Sequence, residues 1–124
     1  MSNTLNELTV KHFQVKGSDV YLNTQGKSGM LMIFWNNCGH CVTFKPIYRQ
    51  LITYMNDSFP CVSIEAAELE KNPQLKKALN FPGYPTIKNI DHTGKITGNY
   101  EGNRNLDDIL TFICTTQNYC PLRT

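Results

Sequence analysis

The chain has 124 residues, 40% of them apolar and 10% aromatic, a composition that supports one packed core and disfavours disorder. Twelve lysines and arginines against ten acids leave a net charge of +2, which argues against a general nucleic-acid or membrane-surface binder. The longest apolar run, Met30 to Trp35, falls far short of the roughly 20 residues of a membrane span.

One domain is expected over residues 1–124, with a core over about 5–116 and a C-terminal tail over 117–124. The opening MSNTLNELTVKH has no basic stretch followed by an apolar block, and the closing CPLRT carries no retention or lipidation signal. A cytoplasmic location is the expectation. Residues 5–13 alternate loosely and read as a first strand. Over 14–28, Val20, Tyr21 and Leu22 fit strand or helix, and NTQGKSG is a turn. GMLMIFW (29–35) is a short continuous apolar run, the pattern of a strand buried on both faces. Next, Phe44, Ile47, Tyr48, Leu51, Ile52 and Met55 fall at helical spacing and form one apolar stripe, with Pro46 inside it as a kink point.

PCVSIEA (60–66) reads as another strand. Asn72 then caps a short helix whose first residue is Pro73, where the missing N–H is harmless. Strands over 85–91 and 95–101 are joined by a turn at Asp91–Gly94. A last helix starts after Asn105, with Asp107 and Asp108 at its positive end and Leu106, Ile109, Leu110 and Ile113 facing inward. This order predicts an α/β fold: a central mixed sheet with helices on both faces.

The chemistry sits where the apolar strand meets the long helix, at Cys38-Gly39-His40-Cys41. Two cysteines three apart at a helix start can close a disulfide. The helix amides favour the thiolate of the first, and the thiolate is the nucleophile. Gly39 keeps the turn compact. A cationic His40 would stabilise the Cys38 thiolate further and make the pair more oxidising. A zinc site would need two more ligands at suitable spacing. Cys61, Cys114 and Cys120 form no second CxxC, and His12 and His92 lie in unrelated segments, so no metal is expected.

Four motifs occur in order: WNNCGHC (35–41), Phe44-Pro46-Tyr48, FPGYPTIK (81–88) and YEGNRNLDDIL (100–110). Together they resemble a thioredoxin-like domain, and more narrowly a single CGHC-type catalytic domain of a protein disulfide isomerase. The resemblance implies a thioredoxin-like fold and a thiol–disulfide oxidoreductase, with Cys38 attacking and Cys41 resolving. It implies that Gly39 and His40 set the redox potential, and that Pro85 is a cis-proline facing the disulfide. The Tyr84 backbone would then stand beside the sulfurs, ready to pair with an extended peptide. Trp35, Tyr84 and Pro85 would border the substrate groove, with Trp35 at its rim. Arg104 would swing towards the second cysteine and lower its pKa.

Three departures stand out. The buried acid usual six residues before the first cysteine is Met32. The lysine usual on the next strand aligns with Ser63 or Ala66, depending on register. The tryptophan usual before the first cysteine is Asn37. Loss of the acid should slow deprotonation of the resolving thiol and prolong mixed disulfides.

Cys61 reads as buried and inert. Cys114 and Cys120 either bridge, if the helix ends near Thr116 and the tail folds back past Asn118 and Pro121, or remain free or pair between chains. No cofactor is expected beyond the Cys38–Cys41 pair. The expected partners are proteins with thiols or disulfides and an upstream redox partner. CGHC points to an oxidase or isomerase, and the absent signal points to a reducing compartment. An asparagine- and lysine-rich, AT-type composition fits a cytoplasmic disulfide pathway of the kind some large DNA viruses carry, so a virus-encoded, virion-associated protein is one expectation. The alternative is a redox-weak thioredoxin-like binding module.

Overall fold

The computed structural model describes residues 5–117, 119 and 120. Asn118 and residues 121–124 of the expected tail lie outside the described residues. Strands β1 (Phe13–Lys16) and β2 (Asp19–Leu22) form an antiparallel hairpin. The main sheet holds β3 (Gly29–Phe34), β4 (Cys61–Glu65), β5 (Thr86–Ile90) and β6 (Ile96–Asn99), in the order β4-β3-β5-β6. β3 is parallel to β4 and antiparallel to β5, and β5 is antiparallel to β6. Helices α1 (Gly39–Met55), α2 (Ala66–Leu69), α3 (Pro73–Leu79) and α4 (Leu106–Thr116) complete the fold. The result is the mixed sheet covered on both faces that the element order predicts.

Every residue of β3 is buried, and the strand's period of two divides the core. Met30, Met32 and Phe34 face Phe44, Tyr48, Leu51 and Met55 of α1 and Ile109, Leu110 and Ile113 of α4. Leu31 and Ile33 face the other way, onto Leu69, Leu75, Leu79 and the β1–β2 hairpin. Gly29 enters β3 against the Pro60 carbonyl, a contact that leaves no room for a Cβ. Tyr48 takes a hydroxyl into this core and satisfies it by donating to the Val62 carbonyl at 2.7 Å and the Met30 carbonyl at 3.3 Å.

The predicted caps hold. Asn72 accepts from Leu75 N–H and Asn105 from Asp108 N–H, and Pro46 stands inside α1. The first strand expected over 5–13 does not form. Glu7 makes a single bridge to Ser63, Val10–His12 is a 3-10 turn, and strand begins only at Phe13. Asn6 at φ 53 turns the chain there and interrupts the extended run. The ambiguous stretch resolves as the β1–β2 hairpin. Among the described residues no helix is long and apolar enough to cross a membrane.

Candidate active site

β3 and β5 run antiparallel with Ile33 opposite Thr86. The end of β3 that leads to Cys38 therefore lies beside the start of β5, where Tyr84 and Pro85 stand. Two segments 46 residues apart meet: the Cys38 thiol donates to the Tyr84 carbonyl at 3.5 Å. The Tyr84–Pro85 peptide is cis, and Pro85 is buried.

Cys38 is the N-cap of α1. Its sulfur accepts from Cys41 N–H at 3.3 Å, one of the donors a helix start leaves unpaired. Its pKa is lowered, chiefly by the hydrogen bond with the Cys41 thiol. Partial desolvation opposes this, and the N–H groups of Cys41 and His40 and the charge of Arg104 add to it. Cys41, one turn in, is fully buried. Burial pushes it up to about 11, reinforced by the Cys38 hydrogen bond and charge, while the Trp35 N–H and the Lys45 charge draw it down. That N–H donates to the Cys41 sulfur at 3.5 Å. The pair is thus asymmetric: a half-exposed, readily ionised thiol over a buried, reluctant one. The arrangement gives the two thiols different reactivity, since the thiolate is the nucleophilic form.

Gly39 and His40 are exposed in the first turn of α1. A Cβ added to Gly39 meets nothing within 4 Å, so the compactness expected of that turn does not depend on glycine. Arg104 is exposed between β6 and α4, on a cleft of about 200 Å³ that Pro85 and Tyr100 also line. Its charge acts on Cys38. The Tyr84 ring packs between Trp35 (6.2 Å between centroids) and Phe81 (5.4 Å). Trp35 is 43% exposed and, with Tyr84, Ala66, Ala67 and Glu70, borders a second cleft of about 280 Å³.

Met32 is fully buried in the same core cluster as Cys41. Its partner on β4 is Ser63, which settles the register: serine stands where lysine was sought. The Ser63 hydroxyl is committed to the Leu5 carbonyl at 2.8 Å. Cys61 is buried, its thiol bonded to the Phe59 carbonyl and its pKa raised by burial. Cys114 and Cys120 are disulfide-bonded. α4 ends at Thr116, and the returning chain stacks Tyr119 on Phe59 at 5.6 Å. No cluster of metal-ligating side chains exists among the described residues.

The sequence leaves Lys45, Asn36 and Glu65 unassigned. Lys45 donates to Asn36 Oδ1 at 2.7 Å, and Asn36 N–H donates to Glu65 Oε2 at 3.0 Å. The i,i+4 spacing of Cys41 and Lys45 is the one signal that could have found the lysine.

A fold and dithiol of this kind define a thioredoxin-like domain. The chain belongs to the thioredoxin family, whose Thioredoxin model matches residues 7–115. It is similar to protein disulfide-isomerase erp38 of Neurospora crassa, 32% identical over 95 residues, which covers 77% of this chain and 26% of that protein. It is also similar to protein disulfide-isomerase tigA of Aspergillus niger, 27% identical over 107 residues, covering 86% and 28%. The chain thus spans about a quarter of the length of these curated relatives. Among solved structures, the first thioredoxin domain of mouse protein disulfide-isomerase A4 matches with a TM-score of 0.59 at 21% identity, covering 89% of this chain and 84% of that one. Human ERp44 matches with a TM-score of 0.71 at 11% identity, covering 94% and 31%.

Proposed function

We propose that the chain is a thiol–disulfide oxidoreductase acting on protein disulfides through Cys38 and Cys41. The observation that carries this is the asymmetry of the two thiols around the Tyr84 carbonyl. Cys38 is half-exposed with a lowered pKa, Cys41 is buried and held up to about 11, and the Tyr84 carbonyl lies 3.5 Å from the Cys38 sulfur. An extended client would pair with the Tyr84 backbone and rest side chains in the clefts at Trp35 and Arg104. Cys38 thiolate attacks the client disulfide, and Cys41 then displaces the client thiol and leaves Cys38–Cys41 oxidised. The reverse sequence donates a disulfide. An upstream thiol partner would reset the pair.

Insulin reduction and refolding of reduced ribonuclease test the two directions. The wild type should turn over in at least one, and Cys38→Ser in neither. A second reading, a binding module with the dithiol as a weak switch, draws on one observation: fully buried Met32 puts no proton acceptor in the core beside Cys41. That reading wins if the wild type and Cys38→Ser are equally inactive in both assays.

A further inference from the structure

Lys45 stands four residues after Cys41 in α1, which places the two side chains on one helix face. A surface lysine normally extends into water. This one is held in place: its ammonium donates to Asn36 Oδ1 at 2.7 Å and lies 5.0 Å from the centroid of the Phe34 ring. Asn36 is fixed in turn, because its N–H donates to Glu65 Oε2 at 3.0 Å. The other Glu65 oxygen accepts Ala67 N–H at 2.7 Å and caps α2. The cation is therefore tied to the same short segment, Trp35–Asn36, whose Trp35 N–H donates to the Cys41 sulfur.

The neighbouring groups of the site come from four elements. On α1 they are Lys45 and, one turn beyond, Tyr48, whose hydroxyl is committed to the Val62 and Met30 carbonyls. From β3 the core cluster receives Met32, which has no proton to exchange. At the end of β4, Glu65 is engaged with two backbone N–H groups. Arg104, before α4, acts on Cys38. Cys38 itself is consumed once it is bonded to a client. Among the described residues, the groups that favour a negative charge on Cys41 are the Trp35 N–H and the tethered Lys45 ammonium.

We propose that Lys45 is a positioning residue for the resolving step: held by Asn36 and Phe34, it stabilises the Cys41 thiolate that releases the client. The proposal rests on the oxidoreductase reading above. In the step, Cys41 gives its proton to water, and its sulfur electron pair forms the bond to Cys38 Sγ. The bond from Cys38 Sγ to the client sulfur breaks with its electrons on the client, whose thiolate then takes up a proton. Over both steps the client disulfide gains two electrons and the Cys38–Cys41 dithiol loses them. Lys45 exchanges neither proton nor electron. The direction of its influence agrees with the Cys41 pKa, which the lysine draws down against burial.

The test is single turnover of the reduced full chain with dithiobis(nitrobenzoate). The first thionitrobenzoate released reports attack by Cys38, and the second reports resolution by Cys41. Lys45→Met should leave the first phase unchanged and slow the second about three- to tenfold at low salt. It should also move the second phase's pH profile upward by about half to one unit. Lys45→Arg should restore both, and added salt should shrink the difference. Asn36→Ala, which keeps the cation and cuts its tether, should slow the second phase less than Lys45→Met; it also serves if Lys45→Met does not fold. A normal first phase with an unmoved second phase and pH profile in Lys45→Met and Asn36→Ala overturns the proposal, as does failure of Lys45→Arg to restore the rate. A wild type that releases no first equivalent sinks the oxidoreductase reading instead.

Discussion

Changing pH should separate the two halves of the reaction, because the two sulfurs sit in opposite environments. In the free dithiol Cys41 is held at about 11, so near pH 7 only about one thiol in 10⁴ is ionised. Two of the causes, the Cys38 hydrogen bond and charge, vanish once Cys38 is bonded to a client. Burial and the Lys45 and Trp35 contacts remain. With every effect of the surroundings removed, the thiol would return to its ordinary 9.0, with about one in 10² ionised near pH 7. The resolving fraction therefore lies between those bounds, and its rate should climb about tenfold per pH unit from about pH 6 to 8. Attack by Cys38, whose pKa is lowered, should rise less steeply and level off first. Stopped-flow release of the two thionitrobenzoate equivalents reads both slopes from one trace. A resolving rate that is flat across that range, or two phases with the same pH dependence, would refute the assignment of the buried thiol to the second step.

In brief alkylation near pH 6, Cys38 should be modified well ahead of Cys41 and Cys61, which are buried with raised pKa values; comparable labelling of all three by peptide mass mapping would count against helix-end activation. Arg104→Ala should slow the attack phase about twofold at low salt and by less at high salt, since its charge acts on Cys38 across an exposed gap; a change confined to the resolving phase would place the arginine at Cys41 instead. Cys114→Ser with Cys120→Ser opens a loop of sequence separation 6. Chain entropy puts the loss at about 2 kcal/mol, or a Tm lower by about 8 °C for a chain of this length; an unchanged Tm by calorimetry would mean that the bridge does not constrain the unfolded chain.

Much of this was legible because local rules and the fold agreed. The continuous apolar run became β3. The caps at Asn72 and Asn105 were readable from side chains that compete for helix-end donors. Cys38 and Cys41 followed from the strand-to-helix junction. What stayed illegible depended on register or on non-local pairing. Whether Ser63 or Ala66 lies beside Met32 is decided by the β3–β4 ladder, which no local pattern specifies. The hairpin over 13–22 is made of four-residue strands, too short for a periodicity to declare itself. The Cys114–Cys120 pairing goes with α4 stopping at Thr116 and Tyr119 stacking on Phe59, a contact between residues far apart in sequence.

The Met32 position shows why those unread features matter for chemistry. A buried acid there would have both a proton to accept and a cost to be buried, and a lysine across the ladder would offset that cost. This chain has neither group. Methionine fills the space, and Ser63 turns its hydroxyl to Leu5. The core beneath the dithiol is thereby apolar, which raises the Cys41 pKa through burial. Among the described residues, the groups that favour the Cys41 thiolate stand at the rim: the Trp35 N–H and Lys45, which is tied to Asn36. Installing Met32→Glu without its lysine should therefore destabilise the fold by a few kcal/mol. It should accelerate resolution only to the extent that the new carboxyl ionises. A variant that resolves faster with no loss of Tm would show that the core beneath Cys41 is wetter than its packing implies.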